Sequence, residues 1–130
     1  MKPFRFRLAT LLRLREAARD RHRANLAQAF EADDVLQQRR TQLADEVGHL
    51  ERRNRTAGSA GPIEVDALIA AQRYTMILQA EDRMIAQQRE VVAEEIERRR
   101  QQLVAADRDL KVLEKLREKH LLRHRKEQDL

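Results

Sequence analysis

A short break in composition near the middle of the chain most constrains how it can fold. The seven residues from Ala57 to Ile63, AGSAGPI, contain two of the three glycines and one of the two prolines. On both sides run long stretches rich in Leu, Ala, Gln, Glu and Arg, without a comparable interruption. Because one polar helix cannot bury its apolar stripe alone, this pattern predicts two helices folded back on each other.

The composition favours a coiled coil over a globular domain. Of the 130 residues, 38% are charged and only 3% are aromatic, which is too polar for a wide core. Leu, Ala and Val at helical spacing nevertheless distinguish the chain from disordered sequences. The predicted fold is all-α, a long two-helix antiparallel coiled-coil hairpin spanning residues 1–130 as a single unit. We expect helix 1 at about 8–57, a loop at about 58–61 and helix 2 at about 62–127.

Local signals support these bounds. Phe4 and Phe6 lie in an extended lead-in before helix 1, while Gly61 suits the N-cap of helix 2 and Pro62 its first turn. The most regular heptad stretch lies in helix 2, where only an arginine interrupts the apolar positions. These positions are Val92, Ile96, Arg99, Leu103, Ala106, Leu110 and Leu113.

Charge is unevenly placed along the chain. Residues 1–24 carry a net charge of about +6, residues 107–130 about +2, and the middle about −3. Folding at the loop brings the two basic ends together, so we expect a positive open end and a mildly negative looped half. Between Tyr74 and Ile85 the apolar residues cover more than one helical face, which indicates a docking surface.

The sequence contains no pattern typical of catalysis. It has no cysteine and no glycine-rich phosphate loop, and its only serine, Ser59, lies in the predicted loop. His120 and His124 are four residues apart and provide half of a metal site, but no cysteine or carboxylate cluster completes it. We therefore expect no enzymatic activity, no cofactor and no metal.

Nucleic acid and membrane are both unfavourable as partners. A basic helix that runs into heptads is typical of zipper-type DNA binders, but here a glycine-rich break separates the two. Charge alone supports only non-specific binding, so we expect no specific nucleic acid partner. No apolar run approaches the roughly 20 residues needed to span a bilayer, and the start does not fit a signal peptide. We expect a cytoplasmic protein without direct membrane insertion.

Three segments resemble a known family. The first is FRFRLATLLRLRE from Phe4 to Glu16, and the second is RY followed by IL, from Arg73 to Leu78. The third is LEKLREK, from Leu113 to Lys119, with a following Glu127. Their order and spacing, together with the chain length, resemble the flagellar export protein family FliJ over nearly the whole chain. That family is related to the YscO-type stalk proteins of injectisomes.

The resemblance implies a stalk in flagellar type III protein export. Hairpins of this family insert into the ring of the export ATPase, the FliI hexamer, and contact the cytoplasmic domain of the export-gate protein FlhA. Association with FliH and with export chaperones is implied as well, together with a cytoplasmic location peripheral to the inner membrane at the flagellar base. Two alternatives remain open: an injectisome stalk, and a coiled-coil adaptor or nucleic-acid-binding protein.

The resemblance also implies two binding surfaces. The export-gate surface occupies the loop-proximal half of both helices, at Leu43, Glu46, Leu50, Tyr74, Leu78, Glu81 and Ile85. The charge distribution, rather than a family motif, predicts the residues that contact the ATPase ring, because the basic open end lies where such a stalk would enter the ring. These residues are Arg13, Arg15, Arg19, Lys115, Lys119 and Arg123.

Overall fold

The computed structural model describes residues 2–59 and 64–129, which form two helices and no strand. Helix α1 is Ala9–Ser59 and helix α2 is Val65–Asp129. Helix α1 thus continues about two residues past its expected end, and α2 also ends about two residues later than expected. The proposed N-cap Gly61, the first-turn residue Pro62 and the second half of the predicted loop lie outside the described residues.

The helices pair in two compact units, and the first of these contains residues 30–94. Its core is formed by Leu43, Leu78 and Ile85, which are 1%, 3% and 6% exposed. Leu36, Val47 and Leu50 pack against them. The α1 members recur at intervals of seven, four and three residues, so they share one face of the helix. We call this the loop-proximal unit.

The direction of the pairing follows from the cross-helix contacts of this unit. Asp33 is bonded to Arg89, and Glu46 is bonded to Tyr74. Residue numbers in α2 therefore fall as those in α1 rise, which is the antiparallel order of a hairpin. The predicted fold class is confirmed.

The second unit contains residues 1–29 and 95–130, and we call it the open-end unit. Its buried apolar side chains are Ala106, Leu110 and Leu113 on one face of α2, Ala29 on α1, and Phe6 in the segment before α1. The pairing is again antiparallel, because Arg15 contacts Asp109 and Arg99 contacts the backbone of Asn25.

The lead-in before α1 is attached to the end of α2. The Phe6 ring lies edge-on to His120 at 5.7 Å between centroids, and Phe4 lies tilted against His124 at 5.6 Å. The Gln128 side chain donates to the carbonyl of Lys2 at 3.3 Å. Residues 2–6 form no helix or strand, so these side-chain contacts hold the segment in place.

Arg99 interrupts the heptads of α2 and lies at the interface between the two helices, which we call the seam. Hydrogen bonds hold its charged side chain there. Its Nη1 donates to the carbonyl of Asn25 at 2.6 Å, and its Nε donates to Glu95 at 2.6 Å. The charged head is therefore partnered on both sides, as a half-buried guanidinium requires.

Candidate functional site

The seven residues expected to bind an export gate all lie in the loop-proximal unit, but they differ in accessibility. Leu43, Leu78 and Ile85 are buried between the helices and hold them together. Glu46, Leu50 and Glu81 are half-buried, and Tyr74 is 42% exposed. Of the seven, Tyr74 therefore offers the largest accessible side chain. The three buried residues stabilise the helix pair and are not accessible to a partner.

Tyr74 belongs to a polar edge along one side of the seam. Its hydroxyl donates to Oε1 of Glu46, and this bond raises the pKa of the Tyr74 phenol above its ordinary value. Two turns away, Arg39 donates to both carboxylate oxygens of Glu81 at 3.0 and 3.1 Å. The ring of Tyr74 is thus held in a fixed orientation beside the Arg39–Glu81 pair. The predicted site omitted Arg39, because a charged helix residue gives no sequence signal of its partner.

The opposite side of the seam carries a second row of ion pairs. Arg40 donates to both oxygens of Asp82 at 2.8 and 3.3 Å, and this hydrogen bonding lowers the pKa of the Asp82 carboxyl. Arg89 likewise donates to both carboxylate oxygens of Asp33, at 2.9 and 3.1 Å. Beside the Arg40–Asp82 pair lies a groove lined by Thr41, Ala44 and Gly48. These pairs fix the register, while the apolar seam supplies most of the stabilisation.

Several apolar side chains near Tyr74 point away from the seam. Met76, Ile77 and Met84 are 67%, 63% and 62% exposed. They belong to the apolar surplus noted in the sequence, yet the predicted site did not include them. Their positions are out of phase with Leu78 and Ile85, and this phase difference is the signal that distinguishes the outer face from the seam.

The six cations expected to contact an ATPase ring all lie in the open-end unit. Arg15 is paired with Asp109 at 3.3 Å, and Arg19 with the adjacent Asp20 at 3.0 Å. The other four are exposed and have no ion pair within the described part of the chain: Arg13, Lys115, Lys119 and Arg123. These four are therefore free to meet acidic groups of a partner.

The two units differ sharply in charge. The open-end unit carries 19 basic and 10 acidic side chains, a net charge of +9. The loop-proximal unit carries eight basic and twelve acidic side chains, a net charge of −4. Electrostatic attraction therefore directs acidic partners to the open-end unit.

Comparison with known proteins identifies one family. The family model described as "Flagellar FliJ protein" matches residues 4–130, which is nearly the whole chain. No curated protein and no solved structure gives a significant match. Among the described residues, neither helix contains a segment long and apolar enough to cross a membrane.

Proposed function

The chain belongs to the flagellar FliJ protein family, and we propose that it acts as a non-enzymatic stalk that couples the ATPase and the gate of flagellar protein export. Membership makes it a component of the flagellar export apparatus. The observation that carries the proposal is the family match over residues 4–130, on a chain that folds as an antiparallel pair of helices.

The open-end unit is proposed to contact the ring of the export ATPase, the FliI hexamer. Support comes from its net charge of +9 and from four exposed cations that have no ion pair among the described residues, Arg13, Lys115, Lys119 and Arg123. Exposed charge contacts are individually weak, about 0–1 kcal/mol each, and form and break readily. Such contacts suit a stalk that has to shift inside a ring.

The loop-proximal unit is proposed to contact the cytoplasmic domain of the export gate FlhA. Tyr74 is the main anchor, because its ring is accessible and its orientation is fixed by Glu46. Leu50 and the Arg39–Glu81 pair extend this surface along the same edge of the seam. Association with FliH and exchange of export chaperones belong to the same proposal. The complex would place the chain in the cytoplasm, at the inner membrane beneath the flagellum.

A stimulation assay with the purified ATPase tests the open-end contact. The double variant Arg13→Glu, Arg123→Glu should raise the concentration needed for half-maximal stimulation by about three- to tenfold, since it reverses two exposed contacts. Added salt should produce the same loss with the wild-type protein. The matched control is Arg53→Glu, Arg55→Glu, which reverses two exposed arginines of the other unit.

If the open-end variant stimulated the ATPase at the same concentration as the wild-type protein, the proposed contact would be contradicted. Equal loss in both double variants would also contradict it, because the effect would then follow net charge rather than position.

A further inference from the structure

The outer face of α2 in the loop-proximal unit carries an apolar stripe that the hairpin leaves uncovered. Its five large side chains are Ile69, Met76, Ile77, Met84 and Val91, and they are 42%, 67%, 63%, 62% and 66% exposed. At 100° per residue these positions, together with Ala80, fall within about 100° of arc, which also contains Arg73 and Gln87. They form one face that is mainly apolar. Leu78 and Ile85 lie on the opposite side, against α1. The stripe is therefore separate from the seam and from the edge that carries Tyr74.

The amount of apolar surface in this stripe exceeds what isolated exposed residues provide. The five side chains leave on the order of 500 Å² of apolar area in water, near the upper end for the largest patch on a monomer. Two copies of the face together reach about 1,000 Å², which is the lower limit for a specific interface. The stripe is therefore large enough to form a weak dimer.

The order of residues in the stripe is partly the same in both directions from Ala80, with Ile77 as the exception because its counterpart is Arg83. Met76 and Met84 lie four residues before and after it, and Ile69 and Val91 lie eleven before and after it. In an antiparallel pair of such helices centred on Ala80, Met76 of one copy lies level with Met84 of the other. Likewise, Ile69 lies level with Val91. The small side chain at the centre lets the two helices approach closely.

Charge selects the antiparallel arrangement. Arg73 lies within the arc of the stripe and Arg83 at its edge, and neither has an ion pair within the described residues, whereas Glu81 and Asp82 are bonded to α1. In a parallel pair each of these arginines would lie level with the same arginine of the other copy, and the two like charges would repel. In the antiparallel pair Arg73 lies level with Gln87, whose side-chain oxygen can accept its hydrogen bond.

We propose that the outer face of α2, from Ile69 to Val91, is an interface with a second copy of this chain, arranged antiparallel about Ala80. The contact is isologous, so it closes as a dimer with two-fold symmetry. The flexible side chains of Met76 and Met84 fill the gaps on either side of the centre. In the dimer the apolar stripe is removed from water while the Tyr74 edge stays free. The inference does not depend on the proposed function.

Analytical ultracentrifugation of the full chain tests dimer formation. For an interface of this area we expect a dissociation constant on the order of 10 µM. Met84→Glu places a charge in the interface and should raise this constant at least tenfold, about 1.4 kcal/mol. The matched control is Val35→Glu, which changes an equally exposed apolar residue of α1, 64% exposed, and should leave the constant unchanged.

Engineered cysteines test the arrangement, and the chain has no native cysteine to interfere. A mixture of Met76→Cys and Met84→Cys chains should form a disulfide-linked dimer on mild oxidation, whereas each variant alone should not. Efficient linkage of Met76→Cys alone would contradict the antiparallel pairing. A wild-type chain that sediments as a monomer at about 100 µM would overturn the proposal and leave the stripe to a different protein.

Discussion

Arg89 on α2 donates two hydrogen bonds to the carboxylate of Asp33 on α1, from Nε at 2.9 Å and from Nη2 at 3.1 Å. Arg89 also donates to the side chain of Gln37 at 2.6 Å. One guanidinium therefore connects two successive turns of the opposite helix. A shift of one residue between the helices would break all three bonds, so the contact specifies the register of the loop-proximal unit.

This contact predicts how acid affects stability. Hydrogen bonding from Arg89 lowers the pKa of the Asp33 carboxyl below its ordinary value of 3.8. A carboxyl with a lowered folded pKa contributes stability that is complete above the unfolded pKa and is lost as the pH falls through the folded pKa. The free energy of unfolding of wild type should therefore exceed that of Asp33→Asn at pH 7, and the difference should shrink as the pH falls below 3.8 and through the lowered folded pKa.

Urea denaturation from pH 7 to pH 2.5 measures that difference. Asp45→Asn, which alters an exposed carboxylate of α1 without an ion pair among the described residues, serves as the control and should show a smaller effect. A constant gap between wild type and Asp33→Asn across the range would show that the Arg89 contact does not act through ionisation.

Truncation of the seam should destabilise the protein strongly. Leu43 is 1% exposed and lies at the centre of the core of its unit, so Leu43→Ala should lower the free energy of unfolding by about 2–5 kcal/mol. Val35→Ala removes a side chain that is 64% exposed and should change it by less than about 0.5 kcal/mol. Chemical denaturation followed by circular dichroism measures both, and similar values for the two variants would place the core elsewhere.

Gly48 is a site where substitution should stabilise the helix. An added Cβ would meet only the guanidinium of Arg52, at 3.9 and 4.0 Å, which is ordinary contact with a flexible side chain. Gly48→Ala should therefore raise the free energy of unfolding by about 0.5–1 kcal/mol, because glycine loses more backbone freedom in a helix. A loss of stability on thermal denaturation would contradict this prediction.

Phe6 should control the order of the chain start. Its ring is 8% exposed and contacts His120, so Phe6→Ala removes the main apolar contact of the lead-in. Amide hydrogen exchange should become faster at Ala9, whose N–H donates to the carbonyl of Phe6 at 3.1 Å. Exchange around Leu43, in the other unit, should not change. Unchanged protection of Ala9 would mean that the hydrogen bond persists without the ring.

The sequence predicted the fold class because the features that determine it are local. A glycine-rich break and apolar residues at heptad spacing are sufficient to specify two paired helices, and the buried Leu43, Leu78 and Leu110 all follow that spacing. Helical phase separates Leu78, which is buried, from Ile77, which is exposed. The apolar stretch around them covers more than one face, so the sequence pattern did not show which of these phases faces α1.

The side-chain pairs of the candidate surfaces required the structure. Arg39 and Arg40 are adjacent and chemically identical, yet they pair with Glu81 and Asp82 on opposite sides of the seam. The register between the helices determines which arginine pairs with which carboxylate, and many registers satisfy the same charge pattern. The same reasoning explains why Arg15 is paired with Asp109 while the nearby Arg13 has no ion pair within the part of the chain that the structure describes.

The most direct test of the account is whether its two proposed surfaces act separately, and calorimetry with the purified ATPase and the gate's cytoplasmic domain measures this. Tyr74→Ala should weaken binding to the gate by about 1–3 kcal/mol and leave ATPase binding unchanged, because Tyr74 is exposed and lies outside the core. The double variant Arg13→Glu, Arg123→Glu should show the reverse pattern. Gln79→Ala, exposed on the other side of the seam, should bind both partners normally. Normal binding of both partners by both variants, or equal loss of both, would contradict the account of two separate surfaces on one hairpin.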